Sequence, residues 1–174
     1  MQAASETQRL LLIDALNVAW WCGKPPSLRL PITLMTQLLQ QGHGARLYFD
    51  ASARYALSHE ADLYAALMQH PSHCIEVPSG RSADGVLLRE ARASGASLVS
   101  RDHFRDHRRR YRKLIDDPSR VLAGWVAEDE LLLPALTLKA TLPASAATAW
   151  QRLLPLLMTS AATGTGAAVL QAAS

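Results

Sequence analysis

Cysteine is nearly absent: Cys22 and Cys74 are the only two in 174 residues, and they stand in no metal-ligand spacing. Neither a disulfide framework nor a zinc site is expected, and a reducing, cytoplasmic compartment is. No uninterrupted apolar stretch approaches the roughly 18 residues of a membrane span, and the N-terminus has neither a basic region nor a long apolar core of the secretory type. The chain is expected to be soluble, with no membrane partner. No internal repeat is visible. Charge also runs out after Lys139, since Arg152 is the only charged residue from Ala140 to Ser174.

The sequence is 49% apolar and 19% charged, enough for one globular domain with a sizeable core. Apolar runs of strand length alternate with helical patterns. Leu10 to Ile13, Arg46 to Phe49, His73 to Val77, Ala96 to Ser100 and Val121 to Val126 read as strands. Helices are predicted over Pro31 to Gln41, stopped by Gly42; over about His59 to Gln69; and from an N-cap at Ser82 through Ser94, stopped by Gly95. A basic helix is predicted from about Phe104. The strands are apolar throughout rather than alternating, which implies a parallel sheet covered on both faces. The expected fold class is α/β, a three-layer α/β/α sandwich with a mostly parallel five-stranded sheet, over residues 8–134. Residues 135–174 read as an Ala-rich C-terminal extension, a short helix ending near Pro155 and then a mobile tail from Thr159. Leu153, Leu154 and Leu157 need a cover, which either the domain or a second subunit of a homodimer could supply.

Four aspartates fall where such a fold gathers its ligands. Asp14 ends the first strand, Asp84 opens the helix after Ser82, and Asp102 and Asp106 follow the fourth strand. Singly, each has an ordinary explanation as a turn residue, a helix cap or a solvated ion-pair partner. Together they meet at one sheet edge, with Asp102 and Asp106 expected on one helical face. Clustered carboxylates repel and raise one another's pKa unless a cation neutralises them, and all-oxygen ligation favours Mg²⁺ or Mn²⁺. Asn17 lies three residues beyond Asp14, and Asp50 is a candidate fifth acidic neighbour. The segment Arg101 to Lys113 holds seven Arg or Lys against two Asp, which points to a polyanionic partner. Arg81, Arg101, Arg105, Arg108, Arg109, Arg112 and Lys113 are the candidate contacts to nucleic-acid phosphates; a solvated helix face is the plain alternative. Trp20 and Trp21 either stack on unpaired bases or pack beneath the loop from Cys22 to Pro26. His103 and His107 lie nearby without metal-ligand spacing.

Two strings carry a resemblance. Leu12-Ile13-Asp14-Ala15-Leu16-Asn17-Val18-Ala19 resembles the "ID-x-x-NVA" opening of NYN-type nucleases of the PIN-like superfamily, particularly the Regnase-type endoribonucleases. Leu98-Val99-Ser100-Arg101-Asp102-His103-Phe104-Arg105-Asp106 resembles their "VVSND-x-[YF]-RD" motif. Ala83-Asp84 stands in the place of the family's paired aspartates, and the likeness spans about Arg9 to Pro134.

The resemblance implies a metal-dependent endoribonuclease acting on single-stranded or looped RNA, with Asp14, Asp84, Asp102 and Asp106 as the acidic centre and Asn17 in support. Two positions depart from the pattern, Ala83 for the first paired aspartate and Arg101 for an asparagine. Arg101 would either contact a substrate phosphate or fill the metal position as a substitute cation. The alternatives are therefore an inactive nucleic-acid-binding module and a DNA-directed nuclease. A phosphatase of the haloacid dehalogenase type would need a second aspartate at the position of Leu16.

Overall fold

The computed structural model describes residues 7–165, with side chains for residues 7–160. The chain starts with β1 (Leu10–Asp14), α1 (Ala15–Ala19), α2 (Arg29–Gln40), β2 (Gly44–Phe49), α3 (Ala53–Ala56), α4 (Ala61–Met68) and β3 (Cys74–Glu76). It continues through α5 (Ala83–Ser94), β4 (Ser97–Val99), α6 (Arg108–Ile115) and β5 (Val121–Leu122). β6 (Trp125–Ala127), β7 (Glu130–Leu133), β8 (Leu138–Thr141) and α7 (Ala146–Thr165) complete it. The first five strands form one sheet in the order β3-β2-β1-β4-β5, parallel at every pairing.

Pleating sends successive side chains to opposite faces, and the core divides accordingly. Leu11 and Ile13 of β1, Leu47 and Phe49 of β2 and Val99 of β4 join one cluster with residues of α1, α2, α4 and α7. Leu12, Tyr48 and Leu98 face the other way, into Leu87, Leu88 and Ala91 of α5 and Tyr111 and Leu114 of α6. This is the expected three-layer α/β/α arrangement. Local signals behave as the sequence implied at α5: the Ser82 hydroxyl accepts from the Gly85 amide at 3.2 Å, and Gly95 ends the helix at φ +75°.

Val121 to Val126, expected as one strand, is two. β5 pairs with β4, the chain turns at Ala123 and Gly124, and β6 enters a separate antiparallel sheet with β7 and β8. Gly124 permits this crossing because a Cβ there would lie 2.5 Å from the Leu132 carbonyl and 2.8 Å from the Trp21 ring. The basic helix begins later than expected. Arg105–His107 form a single 3₁₀ turn, and α-helix starts only at Arg108, kinked at Tyr111 (φ −122°, ψ 22°).

The C-terminal segment also departs from expectation. α7 does not stop at Pro155 but runs to Thr165, with Pro155 exposed on its outer side. A proline in a helix frees the carbonyl one turn earlier, and here that carbonyl lies on the side open to water. Leu153 and Leu157, at most 1% exposed, hold the turns on either side in the domain's own core, so the domain itself covers the patch. The stretch expected to be mobile is helical to Thr165, and residues 166–174 lie outside the described residues. Among the described residues no helix is long and apolar enough to cross a membrane. Leu153→Ala should cost about 2–5 kcal/mol through the cavity it leaves, whereas Pro155→Ala should raise stability. Urea denaturation checks both; a neutral Leu153→Ala would show that α7 contributes little to the core.

Candidate active site

Each acidic side chain is placed by a different segment. Asp14 is the last residue of β1, Asp84 lies in the first turn of α5, Asp102 follows β4, and Asp106 sits in the 3₁₀ turn. Because β4 returns to lie beside β1 while β2 and β3 extend the other way, the carboxyl ends of β1 and β4 flank the topological switch point, where ligands of open α/β sheets bind. Asn17, Asp84, Arg101, Asp102, His103, Arg105 and Asp106 line a cleft of about 450 Å³ there.

Asp14 is the most deeply buried member of the group. Burial pushes its carboxyl up to about 7; the Ser100 hydroxyl counteracts this, and the charges of Asp84 and Asp102 add to the rise. Ser100, 1% exposed, donates to Asp14 Oδ2 at 2.8 Å and its hydroxyl accepts from the Asp102 amide at 3.0 Å. Asp84 is likewise raised, first by burial and then by Asp102, with His107 opposing. Asp106 lines the same cleft and adds a smaller rise to Asp84. Asp50 also raises Asp84, while its own carboxylate accepts the Ser52 amide at 2.7 Å.

Asn17 is a positioning residue. Its Oδ1 accepts from the Arg101 amide at 3.0 Å and from Trp21 Nε1 at 3.1 Å, tying α1 to the loop after β4. That second bond accounts for Trp21, which packs against the core, while Trp20 is 40% exposed. Asp102 and Asp106 do not share a helical face as expected. Asp102 Oδ1 accepts the Phe104 amide at 2.6 Å, and Phe104 turns into the left-handed region at φ 48°, which breaks any helix between the two aspartates. Burial of the Phe104 ring in the α5–α6 core holds this conformation.

The sequence marks His107 as a neighbour of the site and Ser82 as a helix cap, but it does not mark Ser100 as a partner of Asp14. Ser82 Oγ lies 3.3 Å from His107 Nε2, joining the start of α5 to the 3₁₀ turn. A buried serine has no sequence signature of its own; only its place beside Asp102 could have marked it.

The basic residues are unequal. Arg108 pairs with Asp116, and Arg112 reaches the same carboxylate at 3.4 Å. Arg101 and Arg105 line the acidic cleft. Arg81 lines the neighbouring one, and Arg109 and Lys113 line a third. Among the described residues, Arg81, Arg101, Arg105, Arg109 and Lys113 have no carboxylate partner in an ion pair.

The cleft lining includes the carboxylates of Asp84, Asp102 and Asp106, the ligand chemistry a hard divalent cation takes. Among the described residues no three Asp, Glu, His or Cys side chains converge closely enough to enclose an ion. The set therefore fits a hydrated Mg²⁺ or Mn²⁺ held by one or two direct carboxylates rather than a dry cage.

Residues 7–143 match the family described as the Zc3h12a-like ribonuclease NYN domain, and the chain belongs to that family. The same fold appears in Arabidopsis thaliana nuclear protein-only RNase P 2 (PRORP2), at a TM-score of 0.57 and 16% identity. That likeness covers 75% of this chain but only 30% of the plant protein. A search of curated proteins found no match. Family membership makes this a nuclease domain of the ribonuclease type.

Asp14 carries a consequence for stability. Its folded-state pKa lies above the unfolded one, so between 3.8 and about 7 the folded apoprotein binds more protons than the unfolded chain. Stability contributed by the protonated form is lost as pH rises through that window. In EDTA, Asp14→Asn should match wild type near pH 4 and melt higher at pH 8. Thermal denaturation across pH checks this, and parallel curves for the two proteins would overturn the assigned burial of the Asp14 charge.

Proposed function

We propose that the chain is a Mg²⁺- or Mn²⁺-dependent endoribonuclease that hydrolyses phosphodiester bonds of single-stranded or looped RNA with water activated at the aspartate centre. The observation that carries this reading is the placement of Asp14, Asp84 and Asp102 at the switch point, where the charges of Asp84 and Asp102 add to the burial that raises the Asp14 carboxyl. A ribonuclease-family fold with an anionic substrate has little use for an uncompensated carboxylate cluster. The proposed direct ligands are Asp14 and one of Asp84 or Asp102, with the others and Asp106 acting through water. A divalent cation there would neutralise the cluster, polarise a phosphoryl oxygen and lower the pKa of a bound water.

The remaining steps belong to the chain. Ser100 holds Asp14 Oδ2 and orients its carboxylate, and Asn17 fixes the loop that presents Asp102. Arg101 and Arg105, exposed on the cleft wall, meet the non-bridging oxygens on either side of the scissile phosphate. Arg101 thereby serves as a phosphate contact rather than a substitute cation. Where Ala83 replaces a carboxylate, its side chain packs against the α5–α6 core and Asp84 alone serves that turn. Attack by water leaves a 5′-phosphate and a 3′-hydroxyl, with no role for the ribose 2′-hydroxyl.

Single-stranded RNA should be cleaved with Mg²⁺ or Mn²⁺ and left intact in excess EDTA. Asp14→Asn and Asp102→Asn should each lower the rate by orders of magnitude at saturating metal, with the fold retained. Gel analysis of end-labelled RNA, alongside DNA of the same sequence, checks both. Undiminished cleavage in EDTA would exclude the metal mechanism, and binding without cleavage under every metal would leave a nucleic-acid-binding module.

A further inference from the structure

Residues flanking Asp84 and Asp106 in sequence line a second cleft beside the acidic one. Ser82 and Gly85, on either side of Asp84, help line a second cleft of about 360 Å³ together with Arg81, Arg89, His107 and Arg110. Arg110 and Tyr111 are shared with a third cleft of about 710 Å³, walled also by Arg92, Arg109 and Lys113. The two lie in the valley where α5 packs on α6. Their floor is Tyr111, 5% exposed, with the Arg92 guanidinium 4.7 Å and the Arg110 guanidinium 5.5 Å from its ring centre.

Charge in this valley is almost all of one sign. Asp116, outside both clefts, pairs with Arg108 and with Arg112, which itself lines the third cleft. Asp117 reaches the third cleft, but its Oδ1 accepts both the amide and the hydroxyl of Ser119, at 2.9 and 2.6 Å. Glu90 approaches Arg89 only to 3.9 Å. Arg120, which also lines the third cleft, donates to the Ala91 and Ala96 carbonyls. Arg81, Arg89, Arg92, Arg109, Arg110 and Lys113 thus face one another with little compensation, an arrangement that a polyanion relieves.

We infer that the α5–α6 valley carries the RNA strand flanking the scissile phosphate, and that Arg89 and Arg92 of α5 form a second rail opposite Arg110 and Lys113. This rests on the ribonuclease reading and deepens it. A guanidinium resting on an aromatic ring keeps its N–H edge for phosphate and its outer face for a base. Arg92 and Arg110 therefore suit a strand whose bases are unpaired. A duplex, with its bases already stacked and paired, would gain from the charge alone.

The test is a salt titration of single-stranded RNA affinity in EDTA, which halts cleavage, for wild type and Arg89→Ala/Arg92→Ala. A charge-matched control, Arg9→Ala/Arg46→Ala, alters the opposite end of the sheet, where Arg46 lines a separate cavity and the Arg9 carbonyl accepts the Gly44 amide. The valley variant should lose at least tenfold in affinity at low salt, and its salt slope should fall by about 1.4, twice the 0.7 of one single-strand phosphate contact. The control should lose much less. Arg92→Lys, which keeps the charge without the planar face, should retain the slope and still bind more weakly, and equal melting temperatures would show that the α5–α6 packing is intact. If wild type binds RNA and the valley variant loses no more than the control, the valley assignment is overturned while the ribonuclease reading stands. If wild type binds no RNA, the ribonuclease reading falls and the valley with it.

Discussion

The negative charge at the carboxyl end of β1 is the constraint to which the rest of the site answers. Asp14 is poorly solvated and faces two further carboxylates, so its ionised form is disfavoured near neutral pH. Folding retains it there only because the surrounding core is large enough to hold one unfavourable group, a local violation of the kind that marks functional sites. What surrounds it reads as compensation. Ser100 donates to it, Asn17 pins the adjoining loop, and the open cleft leaves room for a hydrated cation.

An acidic centre alone would repel RNA, and the distribution of arginine addresses this. The net charge is only +3, yet seven of the 18 Lys and Arg lie between Arg101 and Lys113. α6 does not use them uniformly. Asp116 neutralises Arg108 and Arg112, while Arg109, Arg110 and Lys113 keep their charge on the walls of the valley. Arg109, Arg110 and Lys113, without a carboxylate partner among the described residues, line the clefts of the α5–α6 valley together with the paired Arg112. A field shaped this way draws a phosphate backbone toward a place it would otherwise avoid.

Much of this was legible in the sequence because the signals were local. Apolar runs with short helical spacers gave the parallel sheet, and Ser82 and Gly95 bounded α5 as cap residues do. The small antiparallel sheet was not legible. Its strands are three or four residues long, and its hairpin turns on Glu128 and Asp129, both at positive φ, where glycine or asparagine would have announced the turn. Nor could spacing show that Phe104 leaves helical geometry, because burial of its ring adds to the Asp102 side-chain turn in holding that conformation. The persistence of α7 through Pro155 is similar: tertiary packing of Leu153 and Leu157 outweighs a local helix breaker.

The contact between Asp14 and Ser100 shows how deeply the site is built into the sheet. The two residues are 86 apart in sequence, and neither belongs to a loop designed around the other. Leu12 pairs with Leu98 and Ile13 with Val99, so the next residue of each chain segment is Asp14 on one side and Ser100 on the other. Register alone brings them together. A slip of one residue would turn Val99 and Leu98 to the wrong layers of the core and carry Ser100 away from the carboxylate in the same step. The hydrophobic alternation that specifies β4 against two differently composed layers therefore also specifies the hydrogen bond that steadies Asp14. The geometry of the acidic centre is in this sense a property of core packing, and substitutions in Leu98 or Val99 would disturb the site without touching it.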